Sequence, residues 1–384
     1  MKFSSKLRYC LSPTAWLLTP MLFAAQGHKP VYVPFDVPDS VATYPLSIND
    51  KMTITGYYVS RSGLTHGFVR DEEGLITQFD VPGSSSTRPV SINYAGEITG
   101  TYITSSTGPT PGIPQGFIRS ADGKITLFGD TISPYGSGNR PFDANPVKVN
   151  VDGEVVGNFP YPNVAPSVFI RSRSGVLQAF SLSDGAEYPT VATGLNASGA
   201  VLGYASSESI LYAQGFLWSG QGPVPSPISG TLTSISVPGS MGTFPTGING
   251  PGAIVGCYSI NANPMFAPLA LTYFDFWREP DGTITTLSVP GAVPSCLASV
   301  NESTGVTIIS PATIVINHED TIVGTYINAA NMPAGFIQKK NGKLRTFTQP
   351  NASMTMPTAV NNRDVVIGYF AQGTQIKGFI RLPN

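Results

Sequence analysis

In seven places along the chain a phenylalanine is followed directly by a second apolar residue and, in five of them, then by arginine. The copies are Gly67-Phe68-Val69-Arg70, Gly116-Phe117-Ile118-Arg119, Val168-Phe169-Ile170-Arg171, Gly215-Phe216-Leu217-Trp218, Asp275-Phe276-Trp277-Arg278, Gly335-Phe336-Ile337-Gln338 and Gly378-Phe379-Ile380-Arg381. Successive side chains of a strand point to opposite faces, so two adjacent apolar residues predict a strand buried on both sides. A two-sheet sandwich would show cleaner apolar–polar alternation.

A second element precedes each copy. An asparagine is followed seven residues later by glycine, as in Asn49 to Gly56 and Asn93 to Gly100, and again from Asn150, Asn196, Asn249, Asn317 and Asn361. These asparagines number repeats one to seven. A third element follows a glycine turn, most clearly at Leu75 to Gly83, with weaker forms at Leu127-Phe128, Ala179-Phe180, Ser234 to Gly239, Thr286 to Gly291 and Arg345 to Phe347. Each repeat thus predicts four short strands. The asparagines lie 44, 57, 46, 53, 68 and 44 residues apart, so the unit is 44 residues and the excess is insertion. A period near 44 residues is that of a four-stranded propeller blade.

Repeat seven stops at Asn384 before its fourth strand, whereas Val33-Pro34-Phe35-Asp36-Val37-Pro38 copies the fourth strand of repeat one, Gln78 to Pro82. The prediction is therefore an all-β, seven-bladed β-propeller of four-stranded blades, closed by the N-terminal strand pairing into the last blade. Closure of this kind removes exposed strand edges. The repeated asparagine suits a tight turn: its side chain bonds to backbone two residues on, and it tolerates positive φ. Ser47, Ser91, Gly194, Gly247 and Ala359, two residues before an asparagine, are small, as expected where blades converge on an axis.

Composition sharpens this picture. Charged residues are 12% of the chain and the net charge is −1, without a basic footprint for nucleic acid or anionic lipid. Lys2, Lys6 and Arg8 precede a mostly apolar run at 15–25, too short to span a bilayer, and Ala25-Gln26-Gly27 offers small residues for cleavage. Residues 1–27 read as a signal peptide that is removed, and 28–384 as a single exported, secreted domain that needs no partner chain. Cys10 falls in the leader, which leaves Cys257 and Cys296 as an expected disulfide.

These residues resemble the extracellular repeat family called HAF, after a His-Ala-Phe element that here reads His66-Gly67-Phe68. The Phe-Asp-Val-Pro runs at Phe35 to Pro38 and Phe79 to Pro82, with the Ile-Asn and Gly-x-Tyr motifs between them, carry the resemblance. It implies export and a β-repeat fold and brings no reaction or catalytic residues. Repeat three departs most, with Asn158-Phe159 in place of the Thr-Tyr pair.

Chemistry is sparse. His28, His66 and His318 fall in separate parts of the predicted fold, so no metal site is expected, and no motif for a cofactor or an activated serine is present. The axial ends of the inner strands read Tyr44-Pro45, Arg88-Pro89, Asn145-Pro146, Pro189-Thr190, Phe244-Pro245, Ala312-Thr313 and Met356-Pro357, without a carboxylate. The repeated arginines Arg70, Arg119, Arg171, Arg278 and Arg381 are expected in solvent or in inter-blade pairing. Insertions at 103–114, 129–145, 259–273 and 293–313 share one face, where binding loops belong. Tyr135, Arg140 and Asp143, with His66, Tyr58 and Tyr102, are the candidate ligand contacts, suited to a sugar or peptide. The favoured function is a non-enzymatic scaffold that binds a glycan, polymer or protein partner through that face. A polysaccharide lyase or glycoside hydrolase is the alternative, and would require two of Asp143, Glu187 and Glu302 to converge in a cleft.

Overall fold

The computed structural model describes residues 30–104, 114–128, 144–159, 168–182, 190–205, 212–220, 230–261, 271–292, 298–301, 306–309 and 314–383. Every regular element among them of four residues or more is a β-strand, and no helix is long and apolar enough to cross a membrane.

Each repeat folds as an antiparallel meander. In repeat one the strands are β2 (Ser40–Ile48), β3 (Ile54–Ser60), β4 (Thr65–Arg70) and β5 (Ile76–Phe79); in repeat two, β6 (Ser84–Ile92), β7 (Ile98–Thr104), β8 (Pro114–Arg119) and β9 (Ile125–Phe128). Repeats three to five form separate four-stranded sheets. These are β10 (Asn145–Val149), β11 (Val155–Asn158), β12 (Val168–Arg171) and β13 (Leu177–Phe180); β14 (Thr190–Leu195), β15 (Val201–Ala205), β16 (Gln214–Ser219) and β17 (Thr231–Ile235); and β18 (Gly242–Ile248), β19 (Ile254–Asn261), β20 (Leu271–Arg278) and β21 (Ile284–Leu287). A small hairpin, β22 (Ala298–Asn301) and β23 (Val306–Ile309), precedes the sheet of repeat six, β24 (Val315–Ile316), β25 (Ile322–Ile327), β26 (Pro333–Gln338) and β27 (Leu344–Phe347). Repeat seven supplies β28 (Met354–Val360), β29 (Val366–Gln372) and β30 (Gln375–Arg381).

The fourth strand beside β30 is β1 (Tyr32–Phe35), antiparallel, with Tyr32 opposite Arg381 and Phe35 opposite Gly378. Strands of repeats seven, one and two share one twelve-stranded sheet, because single parallel bridges at Ala42–Ile376 and Thr65–Ser86 link neighbouring units.

The phenylalanine motif explains the packing. Phe68, Phe117, Phe169, Phe276, Phe336 and Phe379 are fully buried, and replacing a phenylalanine at such a site by alanine costs about 3–5 kcal/mol. Several meet edge-on a fourth-strand phenylalanine of the preceding repeat: Phe117 on Phe79 (6.1 Å), Phe169 on Phe128 (5.9 Å), Phe379 on Phe347 (6.2 Å). Phe68 makes the same contact with Phe35 (6.2 Å). The glycine before the motif makes room for the fourth strand of its own unit: a Cβ on Gly116 would lie 2.3 Å from the Phe128 ring, and one on Gly378 2.6 Å from Phe35. The arginines do pair between units, but with rings rather than carboxylates. Arg119 lies over Phe79 (4.9 Å), Arg171 over Phe128 (5.3 Å), Arg381 over Phe347 (5.3 Å) and Arg70 over Phe35 (5.3 Å). Burial lowers the pKa of Arg70, Arg119 and Arg171, so stacking retains cations that are half out of water.

The asparagine turn is likewise shared between units. Asn49 Oδ1 accepts from the backbone of Lys51 and Thr53, both at 3.0 Å, and Asn361 does the same for Arg363 and Val365. Positive φ falls three residues after the asparagine rather than on it, at Gly96, Gly153, Gly199 and Gly252 and, without glycine, at Met52, Asp320 and Asp364. The amide nitrogen has a role the turn does not require. Nδ2 donates to the backbone oxygen of the next repeat's asparagine from Asn49 to Asn93 (3.1 Å), Asn93 to Asn150 (2.9 Å), Asn150 to Asn196 (3.4 Å), Asn249 to Asn317 (3.0 Å) and Asn317 to Asn361 (2.9 Å). Asn361 donates to Asn49, 312 residues away, at 3.1 Å. In repeat three, Asn158 also bridges to the next unit, where its amide exchanges two hydrogen bonds with the backbone of Ala192, at 2.8 and 2.9 Å.

Candidate functional site

The inner strands β2, β6, β10, β14, β18 and β28 each carry a bulge just before the asparagine turn, and the residues beyond that bulge mark their opposite end. In repeat four the register places Val191-Ala192 there, two residues on from the expected Pro189-Thr190 pair, because Val191 stands opposite Tyr204 as Tyr44 does opposite Tyr57. At this end one position varies from repeat to repeat, between a threonine and a proline that recur in most of them. The varying residues include Tyr44, Arg88, Asn145, Val191, Phe244 and Met356.

Three of the repeats build a cluster there. Tyr44 of β2 stacks on Tyr57 of β3, its cross-strand partner, with centroids 4.8 Å apart and planes at 24°. Tyr369 of β29 meets Tyr44 edge-on at 5.0 Å, and the Arg88 guanidinium of β6 lies 4.4 Å over the Tyr57 ring. The three tyrosines are half-buried and Arg88 is exposed, with no ion pair among the described residues. Desolvation raises the Tyr44 and Tyr369 phenols, and neighbouring phenols reinforce it, while Arg88 opposes it at Tyr44. The hydroxyls therefore remain protonated donors. Flat rings beside a free guanidinium offer stacking, hydrogen bonding and a positive charge in one surface. Sequence reasoning surveyed this end for carboxylates and missed the cluster, although Tyr44 and Arg88 stand at the same offset from Asn49 and Asn93.

Tyr58 follows Tyr57 and so faces the other side of β3. Its ring stacks on His66 (5.1 Å, 26°), and its hydroxyl donates to Gln78 Oε1 at 3.0 Å. His66 Nδ1 lies 2.8 Å from Asp80 Oδ2, with the two side chains 24% and 45% exposed. Against a carboxylate partner Nδ1 is the donor, which leaves Nε2 as the ring nitrogen not engaged with Asp80. Desolvation, then Asp80, raises the Tyr58 phenol. This is a small acid–base constellation at the edge of repeat one.

Among the expected ligand contacts, the structure thus joins His66 to Tyr58. Tyr58 and Tyr102 are buried, and the Tyr102 hydroxyl is engaged with Gln115, so their rings line the interior rather than the surface. Tyr135, Arg140 and Asp143 lie outside the described residues, as do Glu187, Glu302, Cys296 and the greater part of the four insertions. Cys257 is buried against Tyr204, Ala213 and Phe244. No group of three potential metal ligands occurs among the described residues.

One ionisable group stands out nearby. Asp275 occupies the position that is glycine in five repeats, opposite Leu287 rather than a phenylalanine, and burial pushes its carboxyl up to about 7.

No known protein family's sequence profile matches the chain, and no curated protein matches it in sequence. Solved structures do. The β-propeller domain of the Trilobed protease from Pyrococcus furiosus, described as having an open velcro topology, superposes with a TM-score of 0.54 at 6% identity, covering 90% of this chain and 94% of that one. The polysaccharide lyase Uly1 gives 0.51 at 10% identity, covering 95% and 94%. An acylaminoacyl peptidase from Pyrococcus horikoshii gives 0.51 at 8% identity, with 89% of this chain matched to 51% of that enzyme. At such identities the likeness is one of architecture alone. The chain is an all-β protein of four-stranded sheets with the fold of a β-propeller.

Proposed function

We propose that this chain is an exported seven-bladed propeller of the HAF type, closed by β1, that binds a glycan through the end of the inner strands bearing Tyr44, Tyr57, Tyr369 and Arg88, without catalysing a reaction. The observation that carries the binding reading is the free Arg88 guanidinium lying on a stacked tyrosine pair. Sugar rings stack on aromatic faces, and an unpaired guanidinium forms paired hydrogen bonds with a carboxylate or sulfate substituent. Closure is supported by four kinds of contact between repeats seven and one: the β1–β30 ladder, Asn361 to Asn49, Thr358 Oγ1 to the Pro45 carbonyl at 2.8 Å, and Arg70 over Phe35. A Cys257–Cys296 disulfide belongs to the same reading, and intact mass before and after reduction tests it.

A glycan-array screen of the secreted chain, followed by titration of the best hit, tests the function. Tyr57→Ala and Arg88→Ala are expected each to weaken binding at least about tenfold, as loss of a stacked or charge-assisted contact does. Tyr135→Ala and Arg140→Ala test the insertion loop in parallel. Binding that survives in both Tyr57→Ala and Arg88→Ala sinks the site.

A second reading has its own observation. The part-exposed Asp80–His66 pair supplies a base of the kind used to abstract a proton α to a uronate carboxyl. Incubation with uronate-bearing polysaccharides, followed by ultraviolet absorbance of the unsaturated product, tests a lyase. Activity abolished in His66→Ala would replace the binding reading.

A further inference from the structure

Five repeats end their third strand on arginine, and four of those guanidiniums are capped by the turn that follows. Nη1 donates to the next residue's backbone oxygen from Arg70 to Asp71 (3.1 Å), Arg119 to Ser120 (3.3 Å), Arg171 to Ser172 (3.1 Å) and Arg278 to Glu279 (3.4 Å). A hairpin into the fourth strand sets each of those oxygens, with glycine at positive φ at Gly74, Gly123, Gly175 and Gly282. The hairpin also folds back over the guanidinium: a Cβ on Gly74 would lie 3.0 Å from Arg70 Nη2, and one on Gly123 3.3 Å from Arg119 Nη2. Three of the four turns carry an aspartate, Asp71, Asp122 or Asp281.

Arg381 is the exception. The fourth strand beside it is β1, and the backbone after Arg381 runs on next to β1, where the Leu382 amide donates to the Val31 oxygen at 3.0 Å. No hairpin joins β30 to its fourth strand, so neither a turn carbonyl nor a turn carboxylate caps this guanidinium. It still stacks on Phe347, and the residue is only 5% exposed, yet the side chain makes no hydrogen bond or ion pair with the described residues. Nε is sealed without a partner, as it is in Arg171, so what Arg381 lacks by comparison is the acceptor for Nη1.

Arg381 lines an open groove of about 720 Å³ along the outermost strands of repeats six and seven, together with Tyr32, Tyr326, Leu344, Arg345 and Phe347. Arg345 stands two residues before Phe347 on β27 and so shares the face that meets Arg381. It is exposed and also without an ion pair, and no carboxylate lines the groove among the described residues.

A buried guanidinium short of an acceptor gains from one that fits its planar fork, and a carboxylate engages two of its donors at once. We propose that the groove between β27 and the β1–β30 ladder binds a small organic carboxylate, which takes the place of the missing turn at Arg381. Arg345 is its second cation, and Tyr32, Tyr326 and Leu344 are the walls for its apolar body. The site needs only the β1–β30 pairing and does not depend on the glycan reading at Tyr44 and Arg88.

Calorimetric titration of the whole chain with benzoate at constant ionic strength tests it, with acetate and phosphate as separate arms. Benzoate is expected to saturate a single site and to bind more tightly than acetate, which has almost no apolar body. Arg381→Lys keeps the charge but loses the fork and is expected to weaken benzoate at least about tenfold; Arg345→Gln is expected to weaken it severalfold. Arg119→Lys, at a capped position, is expected to bind as the wild type does. The proposal is overturned if benzoate gives no saturable heat, if phosphate saturates the chain and benzoate does not, or if Arg119→Lys weakens benzoate as much as Arg381→Lys. Wild-type affinity in Arg381→Lys overturns it too. Should that variant fail to fold, the exposed Arg345→Gln decides, since unchanged benzoate affinity there places the ligand elsewhere.

Discussion

The two ends of the inner strands obey different rules. At the asparagine end the same local bonds recur from repeat to repeat, and in six of seven repeats the side chain also reaches the next turn. At the other end tyrosine, arginine, asparagine, valine, phenylalanine and methionine occupy equivalent places, and Arg88 lies exposed on Tyr57 without an ion pair. Repetition is what a common packing problem demands of every unit. Variation marks where the units stop solving that problem together, and it is there that aromatic and charged groups are left facing outward.

The comparison breaks most visibly at Asp275, a carboxyl set among glycine positions near the variable end. Its folded pKa of about 7 lies above the ordinary 3.8. Between those values the unfolded chain has lost the proton while the folded chain keeps it, so stability falls as pH rises from 4 towards 7 and stays low above. A gap of this size corresponds to roughly 4 kcal/mol at full ionisation. Asp275→Asn should raise the denaturation midpoint strongly at pH 8 and little at pH 4. An equal shift at both would show that the carboxyl is not desolvated.

At the regular end Asn361→Ala strips acceptors from Arg363 and Val365 and a donor from the Asn49 carbonyl, and should cost about 2–3 kcal/mol in urea unfolding. Asn196, whose bonds are local, should cost less on the same substitution. Equal losses would mean that the contact between turns adds nothing. Arg88→Ala at the variable end removes a contact worth about 0.5–1 kcal/mol and should lower stability no further than that while weakening ligand binding at least about tenfold. Smallest of all, Arg173→Ala removes an exposed 3.2 Å ion pair with Glu97 across repeats two and three and should shift stability by less than about 0.5 kcal/mol.

The sequence makes the regular end legible because a recurring asparagine seven residues before glycine, and a recurring phenylalanine, are visible as spacing alone. Even the pairing of Phe35 beside Gly378 follows from likeness between Phe35-Asp36-Val37-Pro38 and Phe79-Asp80-Val81-Pro82. The variable end is hidden for the converse reason. Tyr44, Arg88 and Tyr369 come from three repeats and follow no common motif, so only strand register shows them as neighbours. His66 and Asp80 lie 14 residues apart, and their pairing depends on how β5 runs back along β4. Repetition of the arginines predicts solvent or inter-unit pairing; stacking on phenylalanine uses the same positions but not the same chemistry. The asparagine amide escaped notice because a turn explains only its oxygen.

The ladder between Tyr32–Phe35 and Gly378–Arg381 also dictates an order of events during synthesis. The segment translated first among the described strands has its partner among those translated last, so repeat seven cannot complete its sheet until β30 has been translated. Until then Phe35 has no Gly378 beside it and Phe68 and Arg70 lack its ring. A nascent chain halted anywhere between should be readily cut by protease at both of its outer repeats.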